Sequence, residues 1–238
     1  MTPNSPRPTA RWIGLTVALA LVGGCRDPEF EEFPWQAGDY DPGAEGASPA
    51  PLCPPGSKAT VINAHSPHEG GAVDEDVWLV VEVFSYFRCA NCADLAVLTK
   101  ELLHRREDIN RHVRFYFHHY PLYGHVSDMN LHASTIAVQD QSNEGFWEVH
   151  DWVFENLAAD DLVLISPGEI REYARDELGL DMARYDEIYD ADETRQFIAW
   201  DKEQGVDLGM IGTPGVFICG ASLGHWPDLE HEIDSYLP

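Results

Sequence analysis

The stretch Phe84–Cys92 reads FSYFRCANC and contains two cysteines separated by two residues. An apolar run, Val77–Phe84, leads into it and is typical of a buried strand. Apolar residues then recur at helical spacing, which predicts a helix from Cys89 to about Arg105. The first sulfur is expected at the helix N-terminus, where free N–H groups and the helix dipole favour a thiolate. The second sulfur, one turn along, can close a disulfide with the first. The spacing therefore predicts a dithiol switch.

The first 24 residues have the composition of a signal peptide. Arg7 and Arg11 precede the apolar run Trp12–Val22, and small residues then lead directly to Cys25. This pattern resembles a bacterial lipoprotein signal, which predicts cleavage before Cys25 and lipid attachment to it. The alternative is an ordinary secretory signal in which Cys25 is incidental. Since no later segment approaches the ~20 apolar residues of a membrane span, the chain is expected to be exported to the periplasmic side and held by its lipid.

Residues 25–58 are rich in Asp, Glu, Gly, Ala and Pro and show no periodic apolar face. They are predicted to form a flexible, lipid-anchored linker. Export to an oxidising compartment lets disulfides persist. With Cys25 lipidated, four cysteines allow three pairings, and Cys89–Cys92 with Cys53–Cys219 is the most economical. The alternative leaves Cys53 and Cys219 as unpaired buried thiols.

Residues 59–238 are predicted to form the folded domain. Thr60–Ile62 is expected to be a short edge strand, followed by a loop over His65–Asp76. Apolar and polar residues alternate from Val113 to His118, as in a half-buried strand, so strand, helix and strand predict a parallel pair. Helical spacing then dominates over about residues 121–207, and a further strand begins near Val216.

Four motifs occur together in this order. They are the stretch Phe84–Cys92, then His119–Leu122 (HYPL), Gly145–Trp147 (GFW) and Gly212–Pro214 (GTP). With them, the chain from about Val77 to its end resembles the DsbA-like branch of the thioredoxin superfamily. The resemblance implies an α/β thioredoxin fold with an inserted helical subdomain. It also implies a cis Thr213–Pro214 bond facing the disulfide, in a loop that shapes the substrate groove.

The chemistry expected of such a site is thiol–disulfide exchange with protein substrates, with Cys89 as nucleophile and Cys92 as resolving thiol. An unidentified redox partner would reset the pair. Oxidation, reduction and isomerisation remain open, because the direction depends on how strongly the Cys89 thiolate is stabilised.

Three residues near the pair are candidate modulators. Arg88 adjoins Cys89 and either stabilises its thiolate or lies in solvent. Asn91 stands where strongly oxidising relatives carry a histidine, which favours a less oxidising site. Where the family places an acid under the disulfide this chain has Val83, with Glu82 one residue earlier and hence on the opposite strand face. We expect a bulge that re-aims Glu82, the alternative being that the proton relay for Cys92 is missing.

Other functional classes are weaker. A net charge of −26 argues against nucleic-acid binding. No glycine-rich phosphate loop is present, so no organic cofactor is expected. Metal handling by Cys89 and Cys92 with histidines such as His118, His119 and His125 is an alternative, although one CxxC pair is an incomplete zinc site. A non-catalytic interaction module is the third possibility.

Overall fold

The computed structural model describes residues 66–71, 79–123, 125–158 and 164–237. Its strands are β1 (His68–Gly70), β2 (Leu79–Ser85), β3 (Val113–His119), β4 (Gly215–Ile218) and β5 (Ala221–Ser222). Its α-helices are α1 (Ala90–Arg105), α2 (Glu107–His112), α3 (Val126–Gln139), α4 (Asn143–Ala158), α5 (Pro167–Asp176), α6 (Met182–Asp190), α7 (Asp192–Asp207) and α8 (Leu229–Tyr236), with a 3₁₀ turn at Trp226–Asp228.

The five strands form one mixed sheet in the order β1-β3-β2-β4-β5. Strands β2 and β3 are parallel, as the order of elements predicted, while β1, β4 and β5 run antiparallel to their neighbours. Helices α3 to α7 lie between β3 and β4 in the chain. The predicted fold, a thioredoxin fold with an inserted helical subdomain, is confirmed.

The two faces of the sheet are covered by different helices. On one face, Val81 of β2 and Ile218 of β4 pack in a cluster with Leu95 of α1 and Ile233 of α8. On the other face, Phe84 packs with Tyr120 and Phe217. Each fully buried side chain of this size contributes roughly 1.5–3 kcal/mol. The apolar run into the CxxC motif therefore fixes the strand at the centre of the domain.

The helical insertion is joined to the CxxC helix by a shared aromatic core. Phe87, Phe117, Phe146 and Phe154 are each at most 1% exposed and lie in one cluster. Within the insertion, α5 begins with the predicted capping box, in which Ser166 and Glu169 exchange side-chain and backbone hydrogen bonds. The insertion thus packs beside the motif rather than standing apart from it.

The first strand differs from its prediction. The expected loop over His65–Asp76 contains β1, which pairs with β3. Side chains of α4 also form hydrogen bonds with β1. There Asn143 and Trp147 donate to the carbonyl of His68 at 2.8 Å. A three-residue strand has too little alternation to be recognised in a sequence.

The expected strand Thr60–Ile62, the signal peptide and the linker lie outside the described residues. Across the part of the chain that is described, no helix is long and apolar enough to cross a bilayer.

Candidate active site

Cys89 caps the N-terminus of α1. Its backbone is extended (φ −104°, ψ 116°), and its Sγ accepts a hydrogen bond from the Cys92 N–H at 3.4 Å. In its thiol form, the same sulfur donates to the carbonyl oxygen of Thr213, also at 3.4 Å. The structure thus brings together the strand–helix junction and the Thr213–Pro214 loop, which are separated by 124 residues in the sequence.

The two sulfurs have opposite electrostatic surroundings. The largest effect on the pKa of Cys89 is a hydrogen bond from Cys92, which lowers it. Burial raises this pKa, whereas hydrogen bonds from Thr213 and from backbone N–H groups lower it further. The resulting pKa is about 6, against an ordinary value of 9.0. Burial, above all, raises the pKa of Cys92, which is 1% exposed. At neutral pH the pair therefore holds one thiolate, on the partly exposed sulfur, and one thiol.

The loop opposite Cys89 contains the cis Thr213–Pro214 bond that the resemblance implied. The hydroxyl oxygen of Thr213 is buried, and a hydrogen bond from the Thr213 side chain helps to lower the pKa of Cys89. Two residues earlier, Ile211 is fully exposed. This loop thus combines a polar side chain that acts on Cys89 with an exposed apolar side chain two residues away.

Arg88 and Asn91 contact the pair less directly than their positions suggested. The Arg88 Nε lies 3.3 Å from Oδ1 of Asp128, and that carboxylate is almost wholly buried. Arg88 is therefore engaged in an ion pair instead of lying free in solvent. The Asn91 side chain is exposed, and it is the Asn91 backbone N–H that helps to lower the pKa of Cys89.

The expected bulge at Glu82 is absent, which corrects that prediction. β2 and β3 pair without interruption from Leu79 with Val113 to Ser85 with His119. Glu82 therefore lies on the face opposite Val81, Val83 and Cys92, and it stands 3.4 Å from Nε2 of His118. The acid proposed to lie under the disulfide points away from it.

Glu82 instead belongs to a buried ionic cluster with His118 and Asp201. Asp201, on α7, accepts from Nδ1 of His118 at 3.0 Å and from the backbone N–H of His119 at 2.7 Å. Burial disfavours a charged ring, but the carboxylates of Asp201 and Glu82 outweigh it and raise the pKa of His118 to about 9. This cluster attaches α7, and thus the start of the Thr213 loop, to the sheet.

His119 forms a buried pair with His132 of α3. Nδ1 of His119 and Nδ1 of His132 are 2.8 Å apart, and both rings are fully buried. Burial lowers both pKa values, that of His132 to about 3, so both rings are neutral at pH 7. Among the described residues, no three His, Cys, Asp or Glu side chains are grouped to hold a metal ion.

An acid that the sequence did not indicate lines the same small cavity as Cys92. Glu69 of β1 pairs with Phe115 and, together with Cys92, lines a cavity of about 20 Å³. Burial and the charge of Asp151 raise the pKa of Glu69 to about 7, although Lys100 opposes them. Glu69 was missed because it lies in the edge strand that the sequence did not reveal.

Cys219 occupies a tight turn between β4 and β5. Its φ is +53° and that of Gly220 is +73°, as a two-residue hairpin turn of type I′ requires. Cys219 is disulfide-bonded, and its partner lies outside the described residues. Cys25 and Cys53 also lie outside them, so lipidation at Cys25 and the pairing of Cys53 with Cys219 stay predictions.

A mixed sheet with a CxxC pair at a helix N-terminus and a cis-proline loop facing it defines a domain of thioredoxin type. The chain belongs to the thioredoxin family, since the family model described as Thioredoxin matches residues 74–235.

Solved structures agree on the fold. Oxidised BdbD from Bacillus subtilis is 16% identical with a TM-score of 0.59, over 72% of this chain and 91% of that one. The thiol-disulfide exchange protein alpha-DsbA2 from Wolbachia pipientis is 19% identical with a TM-score of 0.58, over 72% and 87%. The catalytic domain of Proteus mirabilis ScsC is 18% identical with a TM-score of 0.56, over 73% and 90%. No curated protein matches the sequence.

Proposed function

We propose that this protein is an exported thiol–disulfide oxidoreductase that exchanges disulfides with protein substrates through Cys89 and Cys92. The observation that carries the proposal is the contrast between the two sulfurs. Cys89 is partly exposed and its thiolate is stabilised, whereas Cys92 is buried and holds its proton. An accessible thiolate beside a buried thiol is what stepwise exchange needs, because one sulfur must meet the substrate first.

The steps follow from these positions. In the oxidising direction a substrate thiolate attacks the Cys89 sulfur of the disulfide, Cys92 leaves, and a second substrate thiol then displaces Cys89. In the reducing direction the Cys89 thiolate attacks a substrate disulfide, and Cys92 displaces the substrate from the mixed disulfide. The Thr213 carbonyl, 3.4 Å from the Cys89 sulfur, is available to accept a hydrogen bond from the extended substrate backbone, and Pro214 completes this substrate-facing loop.

Exposed apolar side chains near Cys89 favour a protein substrate. Tyr123 lies between β3 and α3, and Val126 is the first residue of α3; they are 61% and 74% exposed. The ring of Tyr123 packs against Tyr86 at 6.4 Å between centroids, and the carbonyl of Tyr86 accepts from the Cys89 N–H. Ile211, two residues before the Thr213 carbonyl that contacts Cys89, adds a further exposed apolar side chain. Such side chains suit unfolded chains with exposed apolar residues.

The decisive assay follows the disulfide in both directions. Purified protein is expected to reduce insulin with dithiothreitol as electron donor, or to oxidise a reduced, unfolded substrate with glutathione disulfide as acceptor. Cys89→Ser should abolish turnover, whereas Cys92→Ser should accumulate a mixed disulfide with the substrate, visible on a non-reducing gel. No turnover in either direction, with both variants indistinguishable from wild type, would support a non-catalytic interaction module. Stoichiometric zinc or copper binding by the reduced protein that requires both cysteines would instead support metal handling.

The site of action is part of the proposal. The signal-like residues 1–24 and the cysteine that follows favour export and a lipid anchor at Cys25 on the periplasmic side, from which the linker over residues 25–58 lets the domain reach large substrates. Detergent-phase partitioning of wild type but not of Cys25→Ala tests the anchor. Equal partitioning of the two proteins would reject it.

A further inference from the structure

The proposed chemistry requires Cys92 to release and recover a proton in each cycle. Cys92 attacks the mixed disulfide as a thiolate, yet it is 1% exposed and burial raises its pKa. Bulk solvent has little access to this thiol. A group inside the domain must therefore take the proton. The inference that follows rests on the proposed function and names that group.

Glu69 is positioned to do so by the sheet register. It pairs with Phe115, which packs in the cluster with Leu95 of α1. Phe115 and Leu95 also line the cavity that Cys92 lines. The cavity of about 20 Å³ that Glu69 and Cys92 both line has room for one bridging water molecule. The hydrogen bonds from α4 to His68 hold the strand in this place.

The other polar groups lining the cavity are poor proton acceptors. Ser85, whose side chain is hydrogen-bonded to Cys92, and Tyr116 carry hydroxyls, which are far weaker bases than a carboxylate. The Thr99 hydroxyl donates to the carbonyl oxygens of Leu95 and Ala96, so it carries a proton already. His150 is bonded to Asp151, and burial lowers the pKa of its ring. Glu69 is the carboxylate among the described residues that line this space.

Burial and nearby charges set the pKa of Glu69 so that its carboxyl group can both accept and return a proton. Asp151 of α4 raises its pKa, Lys100 of α1 lowers it, and burial raises it most. The resulting pKa of about 7 means that both protonation states are populated near neutral pH. Lys100 and Asp151, whose Nζ and Oδ2 are 2.7 Å apart, also line a groove of about 390 Å³ between α1 and α4. This groove begins at Ala96, two helical turns from Cys89.

We propose that Glu69 accepts the proton of Cys92 and passes it to solvent at the groove between α1 and α4, on a route separate from the substrate loop. When Cys92 attacks a mixed disulfide, its S–H bond breaks and the proton moves through one water to the Glu69 carboxylate. The Cys92–Cys89 bond forms, the Cys89–substrate bond breaks, and the substrate leaves as a thiolate that takes a proton from solvent. In the reverse direction the Glu69 carboxylic acid returns its proton to the departing Cys92.

The test separates the two sulfur steps in one stopped-flow trace. The reduced protein, in a Cys25→Ala background, is mixed with the aromatic disulfide dithiobis-nitrobenzoate. The attack of Cys89 releases the first coloured thiolate, and the attack of Cys92 on the mixed disulfide releases the second. Cys92→Ser, which gives the first phase alone, assigns the phases. The first phase reports the proposed function, and the second reports the proton transfer.

Glu69→Gln keeps the shape of the side chain and removes its basicity. We expect the second phase to slow by about 100-fold at pH 7, the lower end of what general-base catalysis supplies. The rate of this phase should also no longer increase with pH near pH 7. The first phase should stay within about 2-fold, because Cys89 does not depend on this acid. Glu144→Gln, an exposed acid of α4, is the matched control and should leave both phases unchanged.

Two further variants are expected to move the pH midpoint of the second-phase rate in opposite directions, which a purely structural defect would not do. Lys100→Met removes the positive charge and should shift the second-phase midpoint to higher pH. Asp151→Asn removes a negative charge and should shift it to lower pH. Cys92, Tyr116 and His150 also face this cavity and are present in both variants. Lys100 and Asp151 act on the pKa of His150 in the same directions, so the loss of the pH-dependent rise in Glu69→Gln is what assigns the midpoint to Glu69.

Each result supports or overturns a defined claim. A normal second phase in Glu69→Gln would overturn the proton route while leaving the oxidoreductase proposal intact. If Glu82→Gln slowed the second phase and Glu69→Gln did not, the acid would be Glu82 and our assignment would be wrong. Loss of both phases in wild type would reject the proposed function itself.

Discussion

Replacing Cys89 with serine is expected to remove a pH-dependent part of the stability of the reduced protein. The pKa of Cys89 is about 6 in the folded chain and 9.0 without the fold. A group whose pKa is depressed by folding stabilises the protein above its unfolded pKa, and this stabilisation is lost as the pH falls through the folded pKa. Serine is also a good N-cap, so the substitution leaves the start of α1 in place.

The size of the effect follows from the two pKa values. A difference of three pKa units corresponds to about 4 kcal/mol when the thiol is ionised in both states. Between pH 5 and pH 8 only part of this develops, about 2.6 kcal/mol by linkage. Because Cys89 is partly exposed, solvent weakens its interactions, and we expect about 2 kcal/mol.

Guanidinium chloride unfolding of both proteins at pH 5, 6, 7 and 8, with a phosphine reductant, measures this difference. Groups such as His118 and Glu69 titrate in both proteins, so they cancel when Cys89→Ser is subtracted from wild type. The unfolding free energy of wild type minus that of Cys89→Ser should increase as the pH rises through about 6. A difference that stays constant within about 0.5 kcal/mol, or that shrinks as the pH rises, would refute the assignment of a stabilised thiolate to Cys89.

Two other substitutions test the packing that holds the site. The raised pKa of His118, about 9 against 6.5, stabilises the fold below pH 6.5 and is lost as the pH rises through 9. The unfolding free energy of the oxidised wild type should therefore fall by about 3 kcal/mol more between pH 6 and pH 9 than that of His118→Gln. Parallel plots of unfolding free energy against pH for the two proteins would contradict this. A Cβ at Gly205 would lie 2.6 Å from Cε2 of Tyr120. Gly205→Ala should thus lower the unfolding free energy by about 1–3 kcal/mol. Gly168→Ala should not, because a Cβ there would meet only the Ser166 Oγ at an ordinary contact distance of 3.8 Å; equal stabilities of the two variants would disprove the close packing of α7.

Local sequence patterns predicted the central part of the molecule well. The apolar run before the motif is β2, the helical spacing after it is α1, and the alternation from Val113 is β3. The capping box at Ser166 starts α5 where it was expected. These elements are determined by neighbours in the sequence, so periodicity and capping suffice to find them.

The acids of the site could not be found in this way. Whether Glu82 or Glu69 lies under Cys92 depends on the register of a three-residue edge strand and on the absence of a bulge in β2. Asp201 reaches His118 across 83 residues because α7 docks on the sheet. Such pairings follow from tertiary packing, and no short sequence pattern marks them. The cysteines were thus visible in the sequence, whereas the acid that shares a cavity with Cys92 was not.

The reduction potential of the Cys89–Cys92 pair tests the central claim most directly. It is obtained by equilibrating the protein against glutathione buffers and following the peptide that carries both cysteines by mass, so that Cys219 is counted separately. A thiol pKa of about 7 accompanies about −270 mV in thioredoxin, and about 3.5 accompanies about −120 mV in DsbA.

The Cys89 pKa of about 6 lies between these cases. Interpolation predicts a reversible two-electron couple near −230 mV. A reduction potential within about 30 mV of that value would support a site whose potential is set by the stability of the Cys89 thiolate. A pair that forms no reversible disulfide, or one as oxidising as about −120 mV, would contradict the account.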